Sequence, residues 1–369
     1  MRRLGILTGG GDCPGINAVI RAVTKSALYR YNIEMIGFNN GFKGLVENEA
    51  WLIGEAAASG ILHRGGTILG TTNRDNPFSF RVTGAAGELS YEDRSADALR
   101  HIDEWNLDGL IVVGGDGSLT LAHRFTEMGL PVIGIPKTID NDLGATEVTF
   151  GFDTAAATAT EALDRLHTTA ESHHRIMVLE VMGRNAGWIA LQAGMAGGAD
   201  IVLIPELPFN YEQIIAKVLQ RRSRGKRFSI VVAAEGSFPE GLAPVYRSSG
   251  GGRKKLGGIG EIVSAELERR TGLESRATVL GHLQRGGSPT PFDRVLATRF
   301  GVAAVELAAA GRWNEMVCLQ SGTIRGAPLT EAIAEIKRID PGNEQLRAAA
   351  AVGISFGCQL PVPRQIGSR

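Results

Sequence analysis

"LGILTGGGDCPGINAVIRAVTKSA", residues 4–27, decides the fold. A short apolar run ends in three glycines, and then an apolar spacing of three and four begins: Ile16, Val19, Ile20, Val23 and Ala27, with Arg21 and Lys25 on other faces. The first run suits a strand buried on both faces, the glycines a tight turn, and the second pattern an amphipathic helix. Strand, Gly-rich turn and helix in that order open a parallel α/β unit. The turn itself, "GGGDCPG" at 9–15, has neither the lysine of a P-loop nor a clean dinucleotide fingerprint. Either it holds a phosphate or it only turns the chain.

The same grammar recurs. Apolar runs stand at 34–38 ("EMIGF"), 109–115 ("GLIVVGG"), 131–136 ("PVIGIP"), 176–181 ("IMVLEV"), 200–206 ("DIVLIPE") and 229–236 ("SIVVAAEG"). Helical patterns lie between several of them, such as Ile214, Ile215, Val218 and Leu219 flanked by Gln213 and Lys217. The alternation predicts an α/β protein with mostly parallel sheets flanked by helices, and ligands at the carboxyl ends of the strands. A chain of 369 residues, 43% of them hydrophobic, is more than one core uses, so two domains with one sheet each are expected. The run "RSSGGGRKKLGG", 247–258, is polar, basic and aperiodic; it predicts a mobile surface loop, with anion binding as the alternative. The tail from Pro361 is expected to fray.

Bulk properties exclude several classes. Lys plus Arg and Asp plus Glu both total 39, so no net field gathers nucleic acid or an anionic membrane, and an anionic substrate needs a local cluster. Cys13, Cys318 and Cys358 have no paired short spacing, which argues against a disulfide framework or a zinc knuckle and for a reducing compartment. The amino-terminal apolar run comes too early for a signal peptide and no uninterrupted stretch approaches ~20 apolar residues, so a soluble cytoplasmic protein is expected.

Four segments concentrate chemistry. In "GGDGS", 114–118, Asp116 follows a strand, where its charge is useful mainly to Mg2+ or its waters, and Gly117 leaves space a side chain would fill; a plain Asx-type turn is the alternative. In "PKTIDNDLGATEVTFGFDTA", 136–155, Asp140 and Asp142 project to one side if the segment stays extended, one fit to sit near a metal and one to take a proton; a solvated acidic turn is the alternative. "HHRIMVLEVMGRNAGWIA", 173–190, puts Arg175 and Arg184 at opposite ends of one strand, about 20 Å or more apart at ~3.3 Å per residue. They serve different groups, or one reaches a neighbouring subunit. His173 and His174 point apart and make a poor chelating pair. "ESRATVLGHLQRGGSPTPFDR", 274–294, gathers Arg276, His282 and Arg285, suited to phosphate and sugar hydroxyls, although its Gly-Gly-Ser-Pro is also an ordinary helix-boundary signal. Together these parts describe phosphoryl transfer.

With "GILTGGGDCPGINAVIR", "HRGGTILGTTNR", "GGDGS", "PKTIDND", "MGRNAGW" and "ATVLGHLQRGGSP" in order over residues 5–289, the chain resembles the 6-phosphofructokinases. The resemblance implies a two-domain fold of phosphofructokinase type: a nucleotide-binding domain of 1–151 with about 285–335, and a sugar-phosphate-binding domain of 152–284 with about 336–369. It implies transfer of the ATP γ-phosphoryl to O1 of fructose 6-phosphate in glycolysis, with Mg2+. Asp140 resembles the base, Asp142 its neighbour that organises the site, Thr138 a donor near the transferred group, and Arg184 the arginine that stabilises it. Gly11, Arg74, Asp116, Gly117 and Ser118 fall in the nucleotide site, with Asp116 as the metal ligand, so the opening turn is expected to bind phosphate. Met182, Gly183, Glu235, His282 and Arg285 resemble the sugar-phosphate contacts within one subunit. Arg175 and Arg276 resemble residues lent by a neighbouring one, which implies a homodimer as minimum and a homotetramer as the expected assembly. Arg21, Lys25 and Arg64 resemble part of an effector pocket, with Asp200 and Lys226 near other members; His167 departs from the regulated pattern, and 240–257 is an insertion. Donor choice rests on Gly117, which favours ATP, against Lys137, which is usual in pyrophosphate enzymes. A pyrophosphate-dependent enzyme and an inactive nucleotide sensor or scaffold stand as alternatives. A lipid or NAD kinase shares the GGDG turn but has no need of "PKTIDND" and "GHLQRGGSP" together.

Overall fold

A computed structural model describes residues 2–84, 87–249 and 253–360. In chain order the elements are β1 (Arg3–Thr8), α1 (Ile16–Tyr31), β2 (Glu34–Phe38), α2 (Phe42–Glu47), β3 (Ala50–Leu52), β4 (Phe80–Thr83), β5 (Leu89–Glu92), α3 (Ser95–Glu104), β6 (Leu110–Gly114), α4 (Asp116–Glu127) and β7 (Val132–Pro136). There follow α5 (Phe152–His173), β8 (Ile176–Val181), α6 (Trp188–Ala196), β9 (Ile201–Leu203), α7 (Tyr211–Ser223), β10 (Ser229–Ala234), β11 (Tyr246–Ser249), β12 (Arg253–Leu256), α8 (Ile259–Thr271) and β13 (Ser275–Val279). After a 3-10 turn at Gly281–Arg285 come α9 (Pro291–Ala309), β14 (Glu315–Gln320), β15 (Thr323–Pro328), α10 (Leu329–Ala334) and α11 (Glu344–Ala351). The chain forms two compact units, Met1–Thr154 with Arg285–Ile336, and Ala155–Gln284 with Lys337–Arg369.

The first unit is built on a seven-stranded sheet in the order β15-β14-β7-β6-β1-β2-β3. Its five inner strands are parallel, and β3 and β15 close the edges antiparallel. The runs at 4–8, 109–115 and 131–136 are apolar throughout because β1, β6 and β7 are covered on both faces; Leu4, Ile6, Leu7, Ile111, Val113, Ile133 and Ile135 are wholly buried. Helices α1 and α9 approach closely because Gly301 has no side chain: a Cβ there would lie 2.8 Å from the Ala22 Cβ. From β1 the chain runs outward to β2 and β3, then returns to β6 on the other side of β1. The carboxyl ends of β1 and β6 therefore flank a topological switch point, the place where open α/β sheets bind ligands.

The second unit has a four-stranded, fully parallel sheet, β13-β8-β10-β9. Its core joins Ile176, Val178, Val231 and Ala233 of the sheet to Ile214, Val218, Val263 and Leu267 of α7 and α8. One expectation is overturned here. Residues 246–249 and 253–256 pair antiparallel, with Tyr246 opposite Leu256 and Ser249 opposite Arg253, so the described residues of the loop expected over 247–258 are largely β structure. Residues 250–252 and the tail from Pro361 lie outside the described residues.

Candidate active site

At the switch point two Gly-rich turns meet. The turn after β1 is pinned to β6 by Gly9 N donating to the Val113 carbonyl (2.9 Å). Ser118, in the first turn of α4, packs where side chains on Gly9 or Gly114 would be; added Cβ atoms would come within 2.6 Å of its Oγ and 2.3 Å of its Cβ. A Cβ on Gly115 would lie 3.3 Å from the Lys137 carbonyl. The two glycines before Asp116 thus serve internal packing, whereas a Cβ at Gly117 meets nothing within 4 Å. Space for a ligand lies after the acid, at Gly117. Asp116 opens α4 and is exposed beside it.

The turn at 9–12 is braced from three sides. Thr71 Oγ1 donates to the Gly10 carbonyl (2.6 Å) and Gly10 N donates to the Thr72 carbonyl (3.1 Å), which brings the exposed Arg74 loop to it. Arg285 donates to the Asp12 carbonyl (3.1 Å), and its Nη1 would lie 2.8 Å from a Cβ on Gly11. Lys137, nearly wholly buried, donates from Nζ to the Gly11 carbonyl. Burial pushes this ammonium below the ordinary lysine range, with Arg285 adding to the effect. Carbonyls of the turn are therefore engaged from behind.

Beyond β7, Lys137 bridges to Phe150, and the segment between them closes as a loop. The expectation that Asp140 and Asp142 share a side of an extended segment fails, because Asn141 between them is left-handed, at φ 51°. The period-2 alternation is broken at that residue. Thr138 Oγ1 accepts from Asp140 N (3.1 Å), and Thr149 Oγ1 donates to the Thr138 carbonyl (2.7 Å). The structure thus brings Gly11, Arg74, Asp116, Gly117, Ser118, Lys137, Thr138, Asp140, Asp142 and Arg285 into the first unit.

In the second unit, Met182, Gly183 and Arg184 follow β8, and Glu235 follows β10, at the carboxyl ends of adjacent parallel strands. Gly236 lets these ends touch: its N donates to the Gly183 carbonyl (3.1 Å), and a Cβ there would lie 2.1 Å from the Arg184 carbonyl oxygen. Met182 N donates to the buried Gln284 (3.2 Å). The loop's far end is held by Glu206, whose carboxylate accepts from Gly187 N (3.1 Å) and Ile339 N (2.9 Å). Burial raises the Glu206 pKa above the usual carboxylate value. His282 is exposed on the 3-10 turn.

Arg175 and Arg276 lie at the opposite, amino-terminal edge of that sheet, beside the paired residues Ile176 and Ser275. Glu274 joins them, at 2.9 Å from Arg175 Nε and 2.5 Å from Arg276 Nη2, and the Arg175 guanidinium holds its carboxyl below the usual range. Of the expected effector residues, Lys25 lies 3.8 Å from Glu55, and Arg64 is held through its carbonyl by Asn17 (3.1 Å); Arg21, one turn before Lys25 on α1, is partly buried. Within the second unit, Asp200 and Lys226 line a cavity of about 400 Å3 with Lys217, Arg221 and Arg224. Burial raises the Asp200 pKa, although Arg221 lies 2.5 Å from its carboxylate. His167 is spent on the Gly197 carbonyl (2.7 Å).

Residues 3–308 match the profile of the family described as Phosphofructokinase. The chain belongs to that family. It is 51% identical over 360 residues to the ATP-dependent 6-phosphofructokinase of Chloroflexus aurantiacus, covering 97% of this chain and 99% of that one. It is 49% identical over 363 residues to ATP-dependent 6-phosphofructokinase 2 of Clostridium perfringens, covering 96% and 98%. Among solved structures, phosphofructokinase from Pichia pastoris in the T-state superposes with a TM-score of 0.78 at 30% identity, covering 98% of this chain and 38% of the longer yeast chain. The pyrophosphate-dependent phosphofructokinase of Marinobacter aquaeolei gives the same TM-score, 0.78, at 23% identity, and shows the fold alone.

Within this family frame, sequence reasoning passed over Glu206, Glu274 and Asn141. Glu274 carried a signal, since an acid between two arginines expected to share a phosphate is a candidate to hold them apart from it. Glu206 carried none, because its partners are backbone amides distant in sequence.

Proposed function

We propose that this chain transfers the γ-phosphoryl of ATP to O1 of D-fructose 6-phosphate, giving fructose 1,6-bisphosphate and ADP. One observation carries the reading: two Gly-rich turns meet at the switch point beside the Thr138–Asp142 loop, which pairs a phosphate cradle with carboxylates fit for proton transfer. The names of the relatives near 50% identity support ATP as donor.

In this reading the first unit binds nucleotide and the second binds sugar phosphate. Asp140 accepts the proton of the attacking 1-hydroxyl, while Arg184 neutralises charge gathering on the transferred oxygens. Thr138 Oγ1 accepts from Asp140 N, which leaves its O–H to donate to the same group. Asp142 organises the loop; Gly11, Arg74 and Ser118 meet the nucleotide; Met182, Gly183, Glu235, His282 and Arg285 hold the sugar phosphate.

The donor set fits Mg2+. Among the described residues no three His, Cys, Asp or Glu side chains cluster as a cage, and Asp116 offers one exposed carboxylate beside the open space at Gly117. One protein carboxylate completed by phosphate oxygens and water is how this ion is usually held, and when bound it neutralises charge on the transferring group. The assembly in this reading is a homodimer or a homotetramer built from it, because Arg175 and Arg276 lie across the sheet from Arg184, a strand's length of about 20 Å away. In this reading Arg21, Lys25 and Arg64 belong to an effector pocket, with no ligand assigned to it. No helix among the described residues is long and apolar enough to cross a membrane, and the reading places the reaction in the cytoplasm.

Lys137 is the feature that favours pyrophosphate as donor, and its ammonium is engaged by the Gly11 carbonyl. The test is formation of fructose 1,6-bisphosphate with Mg2+ and either ATP or pyrophosphate. Turnover with ATP alone is expected; turnover with pyrophosphate alone overturns the donor assignment, and nucleotide binding without turnover overturns the enzyme.

A further inference from the structure

Asn141 sits between the two acids of the loop and meets two separate demands there. Its backbone is left-handed, a conformation that most L-residues avoid and that Asn tolerates best after Gly. Its side chain, 4% exposed, accepts from Thr149 N at 3.0 Å. Thr149, wholly buried, in turn donates from Oγ1 to the Thr138 carbonyl, and Thr138 Oγ1 accepts from Asp140 N. These bonds form a chain from Asn141 through Thr149 and Thr138 to the backbone of Asp140, closed by the Lys137–Phe150 bridge at the loop's base.

We propose that Asn141 is a positioning residue, which fixes the turn at Asp140 through its left-handed backbone and its bond to Thr149. It touches no reacting atom; it sets where the Asp140 carboxylate sits. The inference rests on Asp140 being the base, and the two are separable by experiment. Alanine removes the side-chain bonds to Thr149 and disfavours the left-handed backbone, whereas glycine removes only the side-chain bonds.

The test is steady-state kinetics with ATP and fructose 6-phosphate on Asn141→Ala, Asn141→Gly, Asp140→Asn and the double variant Asp140→Asn/Asn141→Ala, with thermal melting of each. Asn141→Ala is expected to lower kcat by about 100-fold, the scale of a 1 Å misplacement, with both KM values within about three-fold. Asn141→Gly should recover part of that loss, and it carries the test if the alanine variant does not fold. Asp140→Asn should lose kcat on its own, and adding Asn141→Ala to it should cost little more, because Asn141 acts through Asp140. A kcat within two-fold of native for Asn141→Ala, a glycine variant no better than alanine, or a further full loss in the double variant overturns the positioning role. Native kcat in Asp140→Asn overturns the base assignment instead. A merely structural Asn141 would lower the melting temperature and leave kcat per folded enzyme unchanged.

Discussion

In the proposed function, Lys137 and Gly117 act on the choice of donor by different physics. A charge buried without solvent must be engaged, and the Lys137 ammonium is engaged by the Gly11 carbonyl, so its loss acts first on the shape of the Gly-rich turn. Lys137→Met is therefore expected to raise the KM for ATP several-fold while leaving the KM for fructose 6-phosphate within two-fold; equal rises in both would show that the lysine serves the sugar side as well. Gly117 stands in open space, so Gly117→Asp fits without collision and its effect is electrostatic. A second carboxylate beside Asp116 should raise the KM for ATP by about ten-fold or more, equivalent to about 1.4 kcal/mol, with the melting temperature unchanged. An unchanged KM would remove Gly117 from donor selection. At this scale the sequence was readable for position: Asp116 was expected directly after a strand, and it opens α4 after β6. It was not readable at Asn141, because a single left-handed residue interrupts an alternation without changing its letters.

Among the elements, the starts of α5 and α9 are tied together by one buried carboxylate. Asp293 accepts from Thr154 N (2.8 Å) and Thr154 Oγ1 (2.6 Å), while Thr290 Oγ1, the cap of α9, donates to Asp153 (2.6 Å). Burial pushes the Asp293 carboxyl up from 3.8 to about 6, against the lowering effect of its hydrogen bonds. Between those values the folded protein holds a proton that the unfolded chain has released. The stability it contributes is complete below pH 3.8 and is lost as pH rises through about 6. Asp293→Asn removes the titration, so between about pH 5 and pH 8 the native protein should lose about 1–2 kcal/mol relative to the variant. Denaturant unfolding at the two pH values checks this, and parallel behaviour of the two proteins would show that Asp293 is ionised throughout. The strands that position the site were legible because burial on both faces makes them apolar from end to end. The paired strands at 246–249 and 253–256 were not, since they are short and polar and a charged run without apolar alternation gives period-2 reading nothing to count.

For the molecule as a whole, the decisive geometry is within the second unit, where Arg175 and Arg276 meet at one edge of the sheet and Arg184 and Glu235 at the other. If one sugar phosphate needs both sets, they come from two copies of the chain, and the reading becomes testable by complementation. A variant lacking Arg276 (Arg276→Ala) keeps its own Arg184 but lends only Arg175; a variant lacking Arg184 (Arg184→Ala) lends both Arg175 and Arg276 but has no Arg184 to complete its own site. Each homodimer should be nearly inactive. Co-expressed in equal amounts, half of the dimers are mixed and each has one of two sites intact, so activity should return to about a quarter of native, as an isologous two-fold interface requires. No recovery, with mixed dimers demonstrated by two affinity tags, would place all the arginines of a site in one chain. Glu274 adds a second reading of the same experiment, because it already bridges Arg175 and Arg276. Replacing it with Gln in the lending variant removes a carboxylate that competes with the phosphate for those two guanidinium groups. The mixed dimer should then show a lower KM for fructose 6-phosphate at the same recovered kcat, whereas a higher KM would mean that Glu274 holds the pair in the geometry the phosphate needs.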